Sequence, residues 1–105
     1  MSNILALDDS NYSQVTSKGV VVVDFYADWC GPCKMMAPIF EEAGAAYEGR
    51  AVFGKLNVDT SKPIAINNRV MGFPTLLFYK GGEVVDRVTG VIEQATLYEK
   101  IDALL

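Results

Sequence analysis

Val20-Val21-Val22-Val23-Asp24-Phe25-Tyr26-Ala27-Asp28-Trp29-Cys30-Gly31-Pro32-Cys33-Lys34 is the stretch on which the fold turns. Its first part, 20–27, is a run of β-branched and aromatic side chains broken by one acid, the pattern of a strand covered on both faces. We therefore place it at the centre of a sheet. Directly beyond the cysteines the period changes. Met36, Ile39, Phe40, Ala43, Ala46 and Tyr47 recur at helical spacing, with Glu41, Glu42 and Glu48 largely opposite as a solvated face, which predicts a long helix that Gly49 can stop. Pro38 removes one hydrogen bond inside that helix and predicts a kink. Met35, Met36, Ile39 and Phe40 read as a core stripe.

Outward from this unit, 51–58 and 75–80 read as further strands, and Lys80-Gly81-Gly82-Glu83 as the turn of a hairpin into a strand over 84–89. Residues 4–7 form a short first strand. Weaker helical patterns cover 10–17 and 61–68. Leu97, Tyr98, Ile101, Leu104 and Leu105 repeat the helical pattern at the C-terminus, although no Ser, Thr, Asp or Asn marks a start near Ile92. The order is βαβαβαββα. Strands alternating with helices and then a closing hairpin predict an α/β architecture, with a central mixed five-stranded sheet flanked by four helices. With 105 residues, no linker and no internal repeat, residues 1–105 read as one domain.

Composition narrows the function. Half of the residues are hydrophobic and 21% are charged, the balance of a soluble globular chain. The net charge of −4 lacks the basic excess that draws proteins to phosphate backbones, so nucleic-acid binding is not expected. No apolar run approaches the roughly 18 residues of a membrane span, and none is expected to cross a bilayer. Met1-Ser2-Asn3 and the four apolar residues after them, followed by Asp8 and Asp9, form neither a basic flank nor an export signal. The expected location is the cytoplasm, or an organelle matrix or stroma if a transit segment has been removed.

Both cysteines lie in Trp29-Cys30-Gly31-Pro32-Cys33-Lys34, between the central strand and the long helix. A structural staple, a metal site and a redox pair compete for them. A disulfide closing so short a loop removes little unfolded-chain entropy, on the order of 2 kcal/mol. Zinc normally takes four Cys or His ligands, whereas this chain has two Cys and no His, so no metal is expected. Tight spacing at a strand-to-helix junction favours redox exchange.

In that reading Cys30 sits at the helix N-terminus, where free amides and the macrodipole stabilise a thiolate, with Lys34 adding positive charge. Cys33, about one turn on, is the more shielded resolving thiol. Pro32 needs no donor in the first turn, and Gly31 leaves room for a substrate backbone. Asp24, buried behind the pair, has its pKa raised by desolvation and can accept the Cys33 proton; the structural alternative is an acid kept by hydrogen bonds or by pairing with Lys55.

The segment from Val23 to Lys34 resembles the thioredoxin family, and the likeness continues through Lys55-Leu56-Asn57-Val58-Asp59, Gly72-Phe73-Pro74-Thr75 and Lys80-Gly81-Gly82-Glu83. The resemblance implies a thioredoxin fold, reduction of protein disulfides through a mixed disulfide on Cys30, and no bound cofactor. It implies electrons from NADPH through a thioredoxin reductase, or from a ferredoxin-linked reductase. It also implies a functional Asp24 with Lys55 nearby, and a cis Phe73-Pro74 bond beside the cysteines. There Phe73 pairs with a target strand and Pro74 limits metal access. Trp29, Gly31, Pro32, Gly72, Phe73, Thr89, Gly90 and Val91 are then expected to form an apolar docking rim. Tyr26, where Trp is common, and Met71, where a charge is frequent, depart from the family pattern.

Expected partners are the reductase and disulfide-containing proteins, with the chain acting as a monomer. Gly31-Pro32 and the absence of His favour reduction over oxidation or isomerisation. A non-catalytic subunit of a larger assembly is the alternative from another class.

Overall fold

The computed structural model describes residues 3–105; Met1 and Ser2, which belong to the segment read for an export signal, lie outside the described residues. The predicted order is the observed one: β1 (Ile4–Leu7), α1 (Tyr12–Thr16), β2 (Val20–Tyr26), α2 (Gly31–Ala46), β3 (Val52–Asn57), α3 (Lys62–Asn67), β4 (Thr75–Lys80), β5 (Glu83–Thr89) and α4 (Gln94–Asp102). The sheet runs β1-β3-β2-β4-β5. β2 is central, parallel to β3 and antiparallel to β4, while β1 is parallel to β3 and β5 antiparallel to β4. A register shift between Phe78 and Tyr79 marks an irregularity in the β4–β5 ladder.

Alternation along β2 divides the core. Val21, Val23 and Phe25 enter one cluster with Leu56, Leu77 and Tyr79, against which Tyr12 and Val15 of α1 and Ile64 of α3 pack. Val22 enters the other, with Met36, Phe40 and Tyr47 from α2 and Leu97 and Ile101 from α4. Asp24 shares the side of Val22, so the acid in the apolar run faces the α2 layer. Its residue neighbour across the ladder is Lys55 of β3.

The turn at Gly81 and Gly82 has positive φ at both residues, 61° and 87°, which the two glycines adopt without a Cβ penalty. β5 begins at Glu83, one residue earlier than the apolar pattern suggests, because backbone pairing of Lys80 with Glu83 closes the hairpin. Pro38 does not break α2, which continues as one helix from Gly31 to Ala46. Glu93 stands at the N-cap of α4 without a side-chain capping bond. Glu42 of α2 instead ties down that end by accepting from Gln94 Nε2.

Met35 corrects the expected core stripe: Met36 and Phe40 are buried, but Met35 is 64% exposed. Successive helix positions are turned by about 100°, so Met35 cannot share the face of Met36. Leu105, past the end of α4, is exposed as well.

Candidate functional site

β2 ends at Tyr26 and α2 begins at Gly31, and the short connection between them delivers Cys30 as the N-cap of α2. Cys30 and Cys33 are joined by a disulfide, with Cα atoms 5.3 Å apart. The Cys33 amide donates to Cys30 Sγ at 3.2 Å. A free N–H of the first helical turn is thus aimed at the first sulfur, the interaction that favours negative charge there when the bond is reduced. Pro32 occupies the opening turn, where its missing donor leaves no helix bond unmade.

The expected difference in shielding between the two cysteines is not observed, since each is 5% exposed. Both residues, joined in the disulfide, belong to the cluster that also contains Phe25 and Leu56. Gly31 and Pro32, between them, are exposed.

Behind the pair lies a cleft of about 180 Å³ lined by Asp24, Tyr26, Cys33, Lys34, Ala37 and Lys55 among others. Asp24 is 4% exposed, and its Oδ1 is the one buried side-chain oxygen or nitrogen without a hydrogen-bond partner among the described residues. Burial raises its pKa to about 7, against a smaller lowering by the charge of Lys55. The structural alternative, an acid held by a salt bridge to Lys55, is not seen: the one ion pair among the described residues joins Lys100 to Asp86. The Lys55 ammonium lies 5.5 Å from the centroid of the Tyr26 ring, so its contact is with an aromatic face at the mouth of the cleft.

On the outer side, Trp29 is 67% exposed and meets Phe73 edge to face, with centroids 5.9 Å apart. Its indole N–H donates to Asp59 Oδ2 at 2.9 Å, a partner the sequence does not announce. The Phe73-Pro74 bond is cis. Phe73 packs against the cluster that contains both cysteines, while Pro74 is buried behind it.

Thr75 Oγ1 donates to the Gly72 carbonyl at 2.6 Å and lies 3.1 Å from Thr89 Oγ1. Gly90 has φ of 100° and donates its N–H to the Pro74 carbonyl at 2.8 Å, which joins 72–75 to 89–90. Val91 follows, 40% exposed, and Met71 is 90% exposed.

The structure therefore brings Trp29, Phe73 and the cysteine pair together on one side, and Asp24 and Lys55 to the cleft behind Cys33. No cluster of three or more Cys, His, Asp or Glu suited to a metal occurs among the described residues. No helix among them is long and apolar enough to cross a membrane.

Comparison with known proteins gives the same picture. The family model described as thioredoxin matches residues 3–103. Thioredoxin from Staphylococcus haemolyticus (strain JCSC1435) is 44% identical over 99 residues, covering 94% of this chain and 95% of that protein. Thioredoxin from Staphylococcus aureus (strain Mu50 / ATCC 700699) is 43% identical with the same coverage. The crystal structure of Malassezia sympodialis thioredoxin (Mala s 13) superposes with a TM-score of 0.90 at 33% identity, covering 99% of this chain and 92% of that one. Sheet order, paired cysteines and relatives agree: the chain belongs to the thioredoxin family, and thiol-disulfide exchange is its chemistry.

Proposed function

We propose that this chain is a general reductase of protein disulfides in which Cys30 attacks and Cys33 resolves. The observation that carries the assignment of roles is the Cys33 amide pointing at Cys30 Sγ, which favours a thiolate at the first position and not at the second. The Cys30 thiolate attacks one sulfur of a target disulfide, forms a mixed disulfide and expels the other sulfur as a thiolate. Cys33 then gives its proton to Asp24 and attacks Cys30 Sγ. The target leaves with both sulfurs reduced, and two electrons have passed from this chain to the target.

Asp24 suits the proton step because its pKa, raised to about 7, lets it exchange a proton near neutral pH, and because it lines the cleft with Cys33. Lys55 at the same cleft supplies charge that moderates the acid. Trp29, Gly31, Pro32, Gly72, Phe73, Thr89, Gly90 and Val91 form the surface on which a target strand docks, with Pro74 buried behind Phe73. Electrons come from NADPH through a thioredoxin reductase, or from a ferredoxin-linked reductase. We place the chain, 1–105, in the cytoplasm as a monomeric one-domain carrier, with disulfide-containing proteins as targets.

The test is insulin reduction driven by NADPH and a thioredoxin reductase, with Cys33→Ser run alongside. Turnover with the wild-type chain and accumulation of a mixed disulfide with the variant are expected. Failure to accept electrons from the reductase, or a reduction potential near that of a disulfide oxidase, would overturn the reductase assignment.

A further inference from the structure

β5 is an edge strand, yet Arg87 reaches back to the end of α3 and Thr89 to the first residue of β4. Arg87 donates from Nη2 to the Asn68 carbonyl at 2.8 Å and from Nη1 to the Arg69 carbonyl at 3.2 Å. Asn68 is the C-cap of α3, and Arg69 follows with φ of 56°, the left-handed geometry in which a helix ends and the chain turns away. A non-glycine residue carries strain in that conformation, so it persists where its surroundings hold it.

Two residues beyond Arg87, and so on the same side of the strand, Thr89 meets Thr75, whose hydroxyl holds the Gly72 carbonyl. Between these two anchors lie Val70, Met71, Gly72, Phe73 and Pro74. The third support is Asn68 itself, whose side chain donates to the Ile64 carbonyl at 2.8 Å and to the Tyr12 hydroxyl at 3.1 Å.

We propose that Arg87 is a positioning residue for target docking, clamping the end of α3 so that the following loop presents Phe73 beside Trp29 and the cysteine pair. The inference rests on the reading of the Phe73 loop as the docking surface. A guanidinium suits the task because its planar fork offers two donors to two successive carbonyls, whereas an ammonium at the same place is a single point charge. The guanidinium bonds of Arg87 go to backbone carbonyls, so it acts on the sulfur chemistry only through the loop. Without it the loop samples more conformations, and a protein target must order them on binding.

The test compares Arg87→Met and Arg87→Lys with the wild-type chain, using insulin and a small aromatic disulfide, 5,5′-dithiobis(2-nitrobenzoate), as oxidants of the reduced protein. Arg87→Met raises the apparent KM for insulin about 3- to 10-fold with kcat unchanged, and leaves the rate with the small disulfide as it was. Arg87→Lys, which keeps the charge but not the fork, falls between the two.

An unchanged KM in Arg87→Met overturns the clamp. So does an equal loss on both oxidants, which means general damage, or a wild-type KM in Arg87→Lys, which means charge alone. Phe73→Ser is the separate control on docking: if it leaves the insulin KM unchanged, the docking surface is wrong, whatever Arg87 does.

Discussion

Asp24 and Lys55 stand opposite each other in register on β2 and β3, but the lysine ammonium rests over the Tyr26 ring and Asp24 Oδ1 accepts no hydrogen bond. An acid so placed is neutral and charged in comparable amounts near pH 7. Replacing it with Asn, which keeps the shape and cannot take a proton, therefore slows insulin reduction about 10-fold at pH 7 and above, with the gap closing toward pH 5. The measurement is the pH profile of the second-order rate from pH 5 to 9; a profile that keeps its wild-type shape removes Asp24 from the proton step.

The same substitution alters stability in a pH-dependent direction. The folded-state pKa of Asp24 is raised from 3.8 to about 7, so folding binds the proton more tightly than the unfolded chain does. Stability is full below the unfolded value and falls as pH rises through about 7, because the buried carboxylate must then be charged. Asp24→Asn is thus more stable than wild type at pH 8, by on the order of 4 kcal/mol at most, and equal to it near pH 4. Urea melts at the two pH values, followed by emission of Trp29, the one tryptophan, read the difference.

The paired sulfurs predict unequal reactivity once reduced, despite equal exposure in the oxidised chain. Iodoacetamide modifies Cys30 ahead of Cys33 in the reduced protein, as mass spectrometry of digested peptides would show. Cys30→Ser abolishes insulin reduction, and Cys33→Ser retains the first exchange but stalls as the adduct. Faster alkylation of Cys33 would reverse the assigned roles.

Gly72 has no room for a side chain: a Cβ built there falls 2.8 Å from Thr89 Cγ2. Gly72→Ala pushes Thr89 away from Thr75 and costs about 1–3 kcal/mol. Thr89→Ser removes the clashing methyl and keeps the hydroxyl, so the double variant recovers most of the loss. Thermal melts of the single and double variants check this; additive losses would place the clash elsewhere.

The Tyr12 and Tyr79 hydroxyls lie 2.5 Å apart, and Tyr79 is buried. Burial and this bond raise the Tyr79 pKa. Tyr12→Phe leaves the Tyr79 hydroxyl without that partner and also removes an acceptor from Asn68, at a cost of about 1–3 kcal/mol. Equilibrium urea unfolding measures it, and a variant of wild-type stability would show that the Tyr79 hydroxyl finds another partner.

The run over 20–27 is legible as a central strand because burial on both faces demands apolar side chains at every position, and a lone acid in such a run stands out. The cysteine pair is legible because its spacing and its junction are local. What lies across the fold is less so. Met35 misleads because residue type suggests core while its angle on the helix points it outward. Lys55 is expected near Asp24 from the family resemblance, but its final contact depends on where the Tyr26 ring sits in space. Asp59 bonding Trp29 crosses thirty positions of chain, and Arg87 reads as an ordinary surface charge on an edge strand until α3 is seen ending beside it.

The sheet has two open margins, and neither invites a neighbour. β1 offers only four residues, and β5 carries the register shift together with Glu83, Asp86 and Arg87 among its valines. A short margin and a charged, irregular one are poor templates for strand-by-strand stacking of copies. A thiol-disulfide exchange protein built on such a sheet can thus be kept abundant without seeding fibrils from its own backbone.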